Sequence, residues 1–205
     1  MTSVTIIGAG NIGGAVARLA LTAGADVQVL TRDAAKAAAV DPAVAAGTIG
    51  EAVTGDIVVL ALPYGAVDEV LAQYPDGFAG RTVVEVTNPL DFATFDSLVV
   101  PAGSSATAEI AARLPAAQVL KAFNTNFAAT LASGTVGGAT TTVLVAGDDA
   151  DAKAALVALV EAGGLRGVDA GSLKRAHELE ALGFLQLTLA AGERTSWTTG
   201  FALER

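Results

Sequence analysis

The chain contains no cysteine and only one histidine, one methionine and one tryptophan, and aromatic side chains make up 5% of its 205 residues. Without cysteine there are no disulfides, zinc–thiolate sites or thiol nucleophiles, and the composition is compatible with a reducing compartment. A histidine-rich metal site and a Ser-His-Asp triad both need partners that a chain with His177 alone has little means to supply. Positive charge is also scarce, 12 Lys and Arg against 21 Asp and Glu, for a formal net charge of −9. That field repels phosphate backbones and anionic lipid surfaces, which disfavours nucleic acid and membranes as general partners but leaves room for a local basic pocket. No apolar stretch reaches the roughly 18 uninterrupted residues of a spanning helix, because Gly, Pro or charge breaks each one. Met1 to Gly10 lacks the basic n-region of a signal peptide. The expectation is a cytoplasmic protein.

Hydrophobic residues, by contrast, make up 52% of the chain, and there are 23 glycines. This composition favours close packing of helices on a sheet over disorder. The length accommodates one α/β domain with a full core and a small appended lobe, not two complete domains.

Val4 to Ile7 is a short β-branched run, followed by a glycine-rich turn from Gly8 and by Ile12, Val16, Leu19 and Ala20 at helical spacing. Gly24 closes that helix, and Val27 to Leu30 reads as a second, parallel strand. Asp33 caps an Ala-rich helix that ends before Pro42. Ile57 to Leu62 reads as a buried strand, followed by a helix with Val67, Val70, Leu71 and Tyr74 on one face. Thr82 to Val86, Val119 to Phe123 and Thr141 to Ala146 read as strands, with helices at Ala106 to Leu114 and Asp149 to Ala162. Ser172 is expected to cap a long apolar helix carrying Leu173, Ala176, Leu179 and Leu182. The alternation predicts an α/β fold of Rossmann type, a doubly wound and mostly parallel sheet. The expected division is a six-strand nucleotide-binding domain over residues 1–123 and a small C-terminal α/β lobe over 124–205.

Gly8, Gly10 and Gly13 form G-x-G-x-x-G between a strand and a helix, the context that makes this spacing a dinucleotide signal. Gly8 permits the tight turn, Gly10 lets backbone approach a diphosphate and Gly13 allows close helix–strand packing, while the amides around Ala9, Asn11 and Ile12 face the phosphates. Where an NAD-preferring site ends its second strand with a carboxylate, this chain has Thr31 and Arg32. A guanidinium bonds a 2′-phosphate that a carboxylate repels, and Lys36 adds charge one helical turn later, so NADP is the expected nucleotide. The competing reading makes Arg32 and Lys36 solvated residues of a helix start, with Asp33 as ribose ligand. Leu62, Pro63 and Tyr64 end the fourth strand, Asn88 and Pro89 the fifth, and Ala122, Phe123 and Asn124 the sixth. Loops at the carboxyl ends of parallel strands are where ligands bind in such sheets, so these turns are expected to flank the ribose and nicotinamide, with Asn124 on the carboxamide. Tyr64 is either a proton donor or, more commonly for such a residue, an aromatic wall. Lys121 is assigned a structural role and His177 no chemistry.

These residues resemble the F-420:NADP oxidoreductases, whose nucleotide domain is shared by a family of metalloreductases. The resemblance spans nearly the whole chain and rests on Gly8 to Gly14, Thr31-Arg32 with Lys36, Val86 to Leu90, Lys121 to Thr125, Gly147-Asp148-Asp149 and Asp169-Ala170-Gly171. The chain departs from the pattern at Ala9, where some members acting on the deazaflavin have Thr, at Thr31, where Ser is commoner, and at Tyr64, where many relatives have Trp. The resemblance implies direct hydride transfer between the nicotinamide and the ring of coenzyme F-420, the cofactors carrying the chemistry and no side chain acting as a catalytic acid or base. It also implies an acceptor site that draws on the C-terminal lobe, including Thr195-Ser196-Trp197-Thr198-Thr199. Two other readings stand beside it. One is NADPH-dependent reduction of a small carbonyl or imine compound with Tyr64 or Lys121 as proton donor. The other is a non-catalytic NADP(H)-binding sensor. The Ala- and Leu-rich C-terminal helix exceeds what a small lobe needs to bury, which predicts a homodimer.

Overall fold

The computed structural model describes residues 2–203. In chain order the elements are β1 (Ser3–Ile7), α1 (Asn11–Thr22), β2 (Asp26–Thr31), α2 (Ala34–Ala38), β3 (Ala45–Thr48), β4 (Ile57–Leu60), α3 (Val67–Leu71), β5 (Thr82–Glu85), α4 (Ala106–Arg113), β6 (Gln118–Lys121), α5 (Ala128–Ser133), β7 (Thr135–Val136), β8 (Ala139–Thr140), β9 (Thr142–Gly147), α6 (Ala150–Ala162), β10 (Arg166–Gly171) and α7 (Ala176–Ala191). The eight-stranded sheet runs β10-β9-β6-β5-β4-β1-β2-β3. Every neighbouring pair is parallel except β6 and β9, which meet antiparallel through Leu120↔Gly147 and Lys121↔Ala146. β7 and β8 form a separate short hairpin.

Central strands of a parallel sheet are covered on both faces and are apolar throughout. Accordingly Ile57, Val58, Val59 and Leu60 of β4 are all buried. Successive side chains of a strand point to opposite faces, so β4 feeds two cores. Ile57 and Val59 pack with Val16 and Leu19 of α1, Leu131 of α5 and Leu156 of α6. Val58 and Leu60 pack with Val67 and Val70 of α3 and Ile110 of α4. This is the doubly wound Rossmann architecture anticipated from the pattern.

Three features differ from the sequence reading or add to it. The third strand, β3, is Ala-Ala-Gly-Thr at the edge of the sheet, half-exposed and without an apolar run to announce it. The strands after Asn124 extend the same sheet, since β9 pairs with β6. The C-terminal helix does not start under a Ser172 cap: a 3₁₀ turn spans Leu173–Arg175 and the Ser172 side chain makes no capping bond. Instead the Asp148 carboxylate accepts the Leu173 N–H at 2.9 Å. Asp33, Ser105 and Asp149 do cap α2, α4 and α6 through their side chains. Among the described residues no helix is long and apolar enough to cross a membrane.

Candidate active site

The carboxyl ends of β1, β4, β5 and β6 converge on one crevice, and α1 begins at its centre. Gly8 has φ +108°, and a Cβ there would lie 2.2 Å from the Ala61 carbonyl oxygen, so both conformation and space demand glycine. At Gly13 a Cβ would lie 2.0 Å from the Gly8 carbonyl oxygen, which is the close helix–strand approach expected of that position. Gly10 has nothing within 4 Å of its Cβ position. It precedes α1 without a side-chain cap, and the first turn holds no acidic residue. The leading amides of a helix have no intrahelical acceptors, so open space, free N–H groups and the positive end of the helix coincide here, and the site fits a diphosphate.

The main cavity, of about 710 Å³, lies beside this helix start. That volume falls in the range of cofactor pockets. It brings together Asn11, Ile12, Leu62, Pro63, Tyr64, Asn88, Phe123 and Asn124. A second depression, of about 320 Å³, gathers Ala9, Gly10 and Lys36, and shares Asn11 and Arg18 with the first. Pro89 and Ala122 line neither; Pro89 is buried and Ala122 belongs to the core beneath α1. The Thr31 hydroxyl is engaged within its own turn, donating to the Asp33 carbonyl at 2.5 Å. Arg32 and Lys36 are exposed, and neither forms an ion pair among the described residues.

Asn124 and Asn88 are locked together. Asn124 Nδ2 donates to Asn88 Oδ1 at 2.8 Å and to the Leu179 carbonyl at 2.7 Å, and Asn88 Nδ2 donates to the Asn124 carbonyl at 2.7 Å. Phe123, just before, holds φ +63°, which turns the chain sharply after β6. Three cavity-lining oxygens on buried side chains have no partner among the described residues: Thr87 Oγ1, Asn124 Oδ1 and Asn126 Oδ1. Buried polar atoms are almost always satisfied, so these fit a ligand that brings N–H or O–H donors, as a carboxamide does.

Tyr64 sits in a 3₁₀ turn after β4. Its hydroxyl donates to Glu109. Burial first, and then that hydrogen bond, push the phenol up to about 12. Lys121 is fully buried and does not line the cavity. Its Nζ donates to Glu85 Oε2 at 2.6 Å, to Glu180 Oε1 at 2.9 Å and to the Thr87 carbonyl at 2.5 Å, which exhausts its three protons. Glu180 also accepts the Ala106 and Thr107 N–H groups at the start of α4. His177 Nδ1 is 3.0 Å from the Ser104 carbonyl oxygen.

The sequence reading missed Arg18, Phe92, Asn126, Phe127 and Leu187, all of which line the main cavity. Arg18 was findable, because Asn11, Gly14 and Arg18 fall at i, i+3 and i+7 on one helix face. The others come from loops and from α7, where spacing carries no such information. Trp197, from the C-terminal stretch, reaches the cavity and packs on Phe127 with ring centroids 5.1 Å apart.

Residues 3–89 match the family model described as "NADP oxidoreductase coenzyme F420-dependent". A crystal structure from Arthrobacter sp. FB24, named for an F420-dependent NADP-reductase, superposes over 100% of both chains with TM-score 0.86 at 24% identity. The hypothetical protein SMa0349 of Sinorhizobium meliloti is 32% identical, covering 84% of this chain and 86% of its own, with TM-score 0.76. The rat metalloreductase STEAP3 is 30% identical over 180 residues, 87% of this chain; the chain spans 36% of that relative's length.

Proposed function

Because residues 3–89 belong to the coenzyme F420-dependent NADP oxidoreductase family, we propose that this protein is an NADP(H)-dependent oxidoreductase that passes hydride between NADPH and coenzyme F-420 or a related flavin-like acceptor. The observation that carries this reading is the pairing of a bare helix start with an adjoining cavity rimmed by Tyr64, Phe92, Phe127 and Trp197. Bound NADPH supplies the hydride. The chain's residues do the rest by placement: the Gly8–Gly13 turn seats the diphosphate, Arg32 and Lys36 stand where an adenosine 2′-phosphate binds in such folds, and Asn124 Oδ1 accepts from the carboxamide. The aromatic rim holds a planar acceptor and excludes water from the transfer.

The site's acid–base poverty supports a ring-to-ring hydride transfer over carbonyl or imine reduction. Of the two candidate proton donors, Lys121 is consumed by a buried ion cluster and Tyr64 is a weak acid already donating to Glu109. The deciding experiment follows NADPH consumption with oxidised F-420, FMN and a panel of small carbonyl and imine compounds side by side. F-420 is expected to be turned over fastest. Turnover of the small compounds alone would replace this reading, and tight NADPH binding with no acceptor used would make the protein a binding module. We further propose a homodimer formed through α7, on which Leu185 is exposed; a monomeric mass by light scattering at micromolar concentration would refute it.

A further inference from the structure

The groove between α1 and α2 holds a cation that the nucleotide fingerprint does not include. Arg18 lies seven residues beyond Asn11, about 10 Å along the helix axis, yet helical side chains lean toward the N-terminus. Its guanidinium lies back over Gly14: a Cβ at that glycine would meet Arg18 Nη2 at 3.5 Å and Nη1 at 3.6 Å. Arg18 Nη1 donates to the Val40 carbonyl at 3.2 Å, which ties it to the end of α2. One of five guanidinium N–H donors is thereby used and the others are free to bond elsewhere.

The same guanidinium lines the depression that holds Gly10, Asn11 and Lys36, and among the described residues no acidic one lines it. In a chain of net charge −9, two cations from different helices meet at one concavity, beside backbone already suited to phosphate. Neither forms an ion pair among the described residues. The diphosphate seat over Gly10 serves NADPH and NADH alike. Lys36, by contrast, follows the tip of β2, where the adenosine ribose lies in such folds.

We propose that Arg18 is a phosphate-binding, specificity-determining residue that grips the 2′-phosphate of NADPH jointly with Lys36 from the groove between α1 and α2. The inference rests on the NADPH reading given above. A guanidinium suits this task because its planar fork bonds two phosphate oxygens at once.

The test uses the full chain and calorimetry with NADPH, NADH and 2′,5′-ADP. Wild-type protein that binds no NADPH refutes the functional reading itself, whatever Arg18 does. Given wild-type binding, Arg18→Met should weaken NADPH and 2′,5′-ADP by about ten- to a hundredfold and NADH by less than about threefold, the range expected for a lost charged hydrogen bond. Arg18→Gln, which keeps a polar N–H donor but no charge, should show the same selective loss with an unchanged melting temperature. Unchanged NADPH affinity in Arg18→Gln, or equal losses for NADPH and NADH, would overturn the proposal.

Discussion

Tyr64 is the residue on which a catalytic and an architectural reading diverge most sharply. A phenol at about 12 that donates to Glu109 is a poor source of protons near neutrality, because catalytic acids are tuned toward the operating pH. Tyr64→Phe should therefore retain turnover within about threefold, because the hydroxyl it removes bonds Glu109 and not a reacting group, and a loss of about a hundredfold or more would restore it as a proton donor. The same shift has a consequence for stability. Since the folded value lies above the ordinary value of 10.0, the folded state favours the neutral phenol. That contribution is intact below about pH 10 and is lost as pH rises through about 12. Absorbance titration at 295 nm should show a tyrosine still protonated at pH 11 in the wild type that is missing in Tyr64→Phe. Arg32 carries the second argument at this scale. Exposed at the tip of β2 and without an ion-pair partner among the described residues, it is expected to serve the 2′-phosphate. Arg32→Ala should raise the KM for NADPH far more than that for NADH, and equal effects would leave it a surface residue.

Among the elements, α7 does more than cover the sheet. Glu180 joins the buried cluster with Lys121 and Glu85, the Leu179 carbonyl accepts from Asn124, and Gly183 faces Asn88 so closely that a Cβ would lie 2.3 Å from its Oδ1. Three successive features of one helix face thus hold the ends of β5 and β6. Lys121→Met would leave two carboxylates in a dry site, at a cost of about 3–5 kcal/mol; urea denaturation showing less than about 1 kcal/mol would mean that the cluster does not hold the fold. Gly183→Ala should displace Asn88 and lower kcat/KM by on the order of tenfold or more, while the fold persists. Much of the element order was legible because buried parallel strands are apolar runs and glycine marks several of the turns: β1, the Gly8–Gly13 turn and α1 follow directly from residues 4–20. The rest was not, for identifiable reasons. β3 is an edge strand of small residues with no pattern, and the start of α7 is set by Asp148, a residue far away in sequence. The sequence assigns Lys121 a structural role, but its partner Glu180 lies 59 residues on and no local spacing announces it.

At the scale of the whole molecule, the chain closes on itself: the segment after α7 returns to the crevice that the first fourteen residues open. Trp197 lines the cavity together with Asn11 and Ile12 and packs against Phe127, while remaining half exposed. Sequence singles out the Thr195–Thr199 stretch but does not indicate where it lands, because nothing local to a loop encodes a shared cavity with residues nearly two hundred positions earlier. On the proposed reading this placement separates two duties: the nucleotide would be held by glycine backbone and cations around the start of α1, whereas the aromatic rim of the main cavity would offer a face to a planar acceptor. An aromatic contact of this kind contributes about 0.5–1.5 kcal/mol beyond its buried area, or about two- to tenfold in affinity. Trp197→Ala should accordingly raise the KM for F-420 by about tenfold, since buried area is lost as well, and leave the NADPH dissociation constant within about threefold. Trp197 is the only tryptophan, so its emission should also respond to acceptor binding in the wild type. If the substitution weakened NADPH and left the acceptor untouched, the two duties would have to be exchanged.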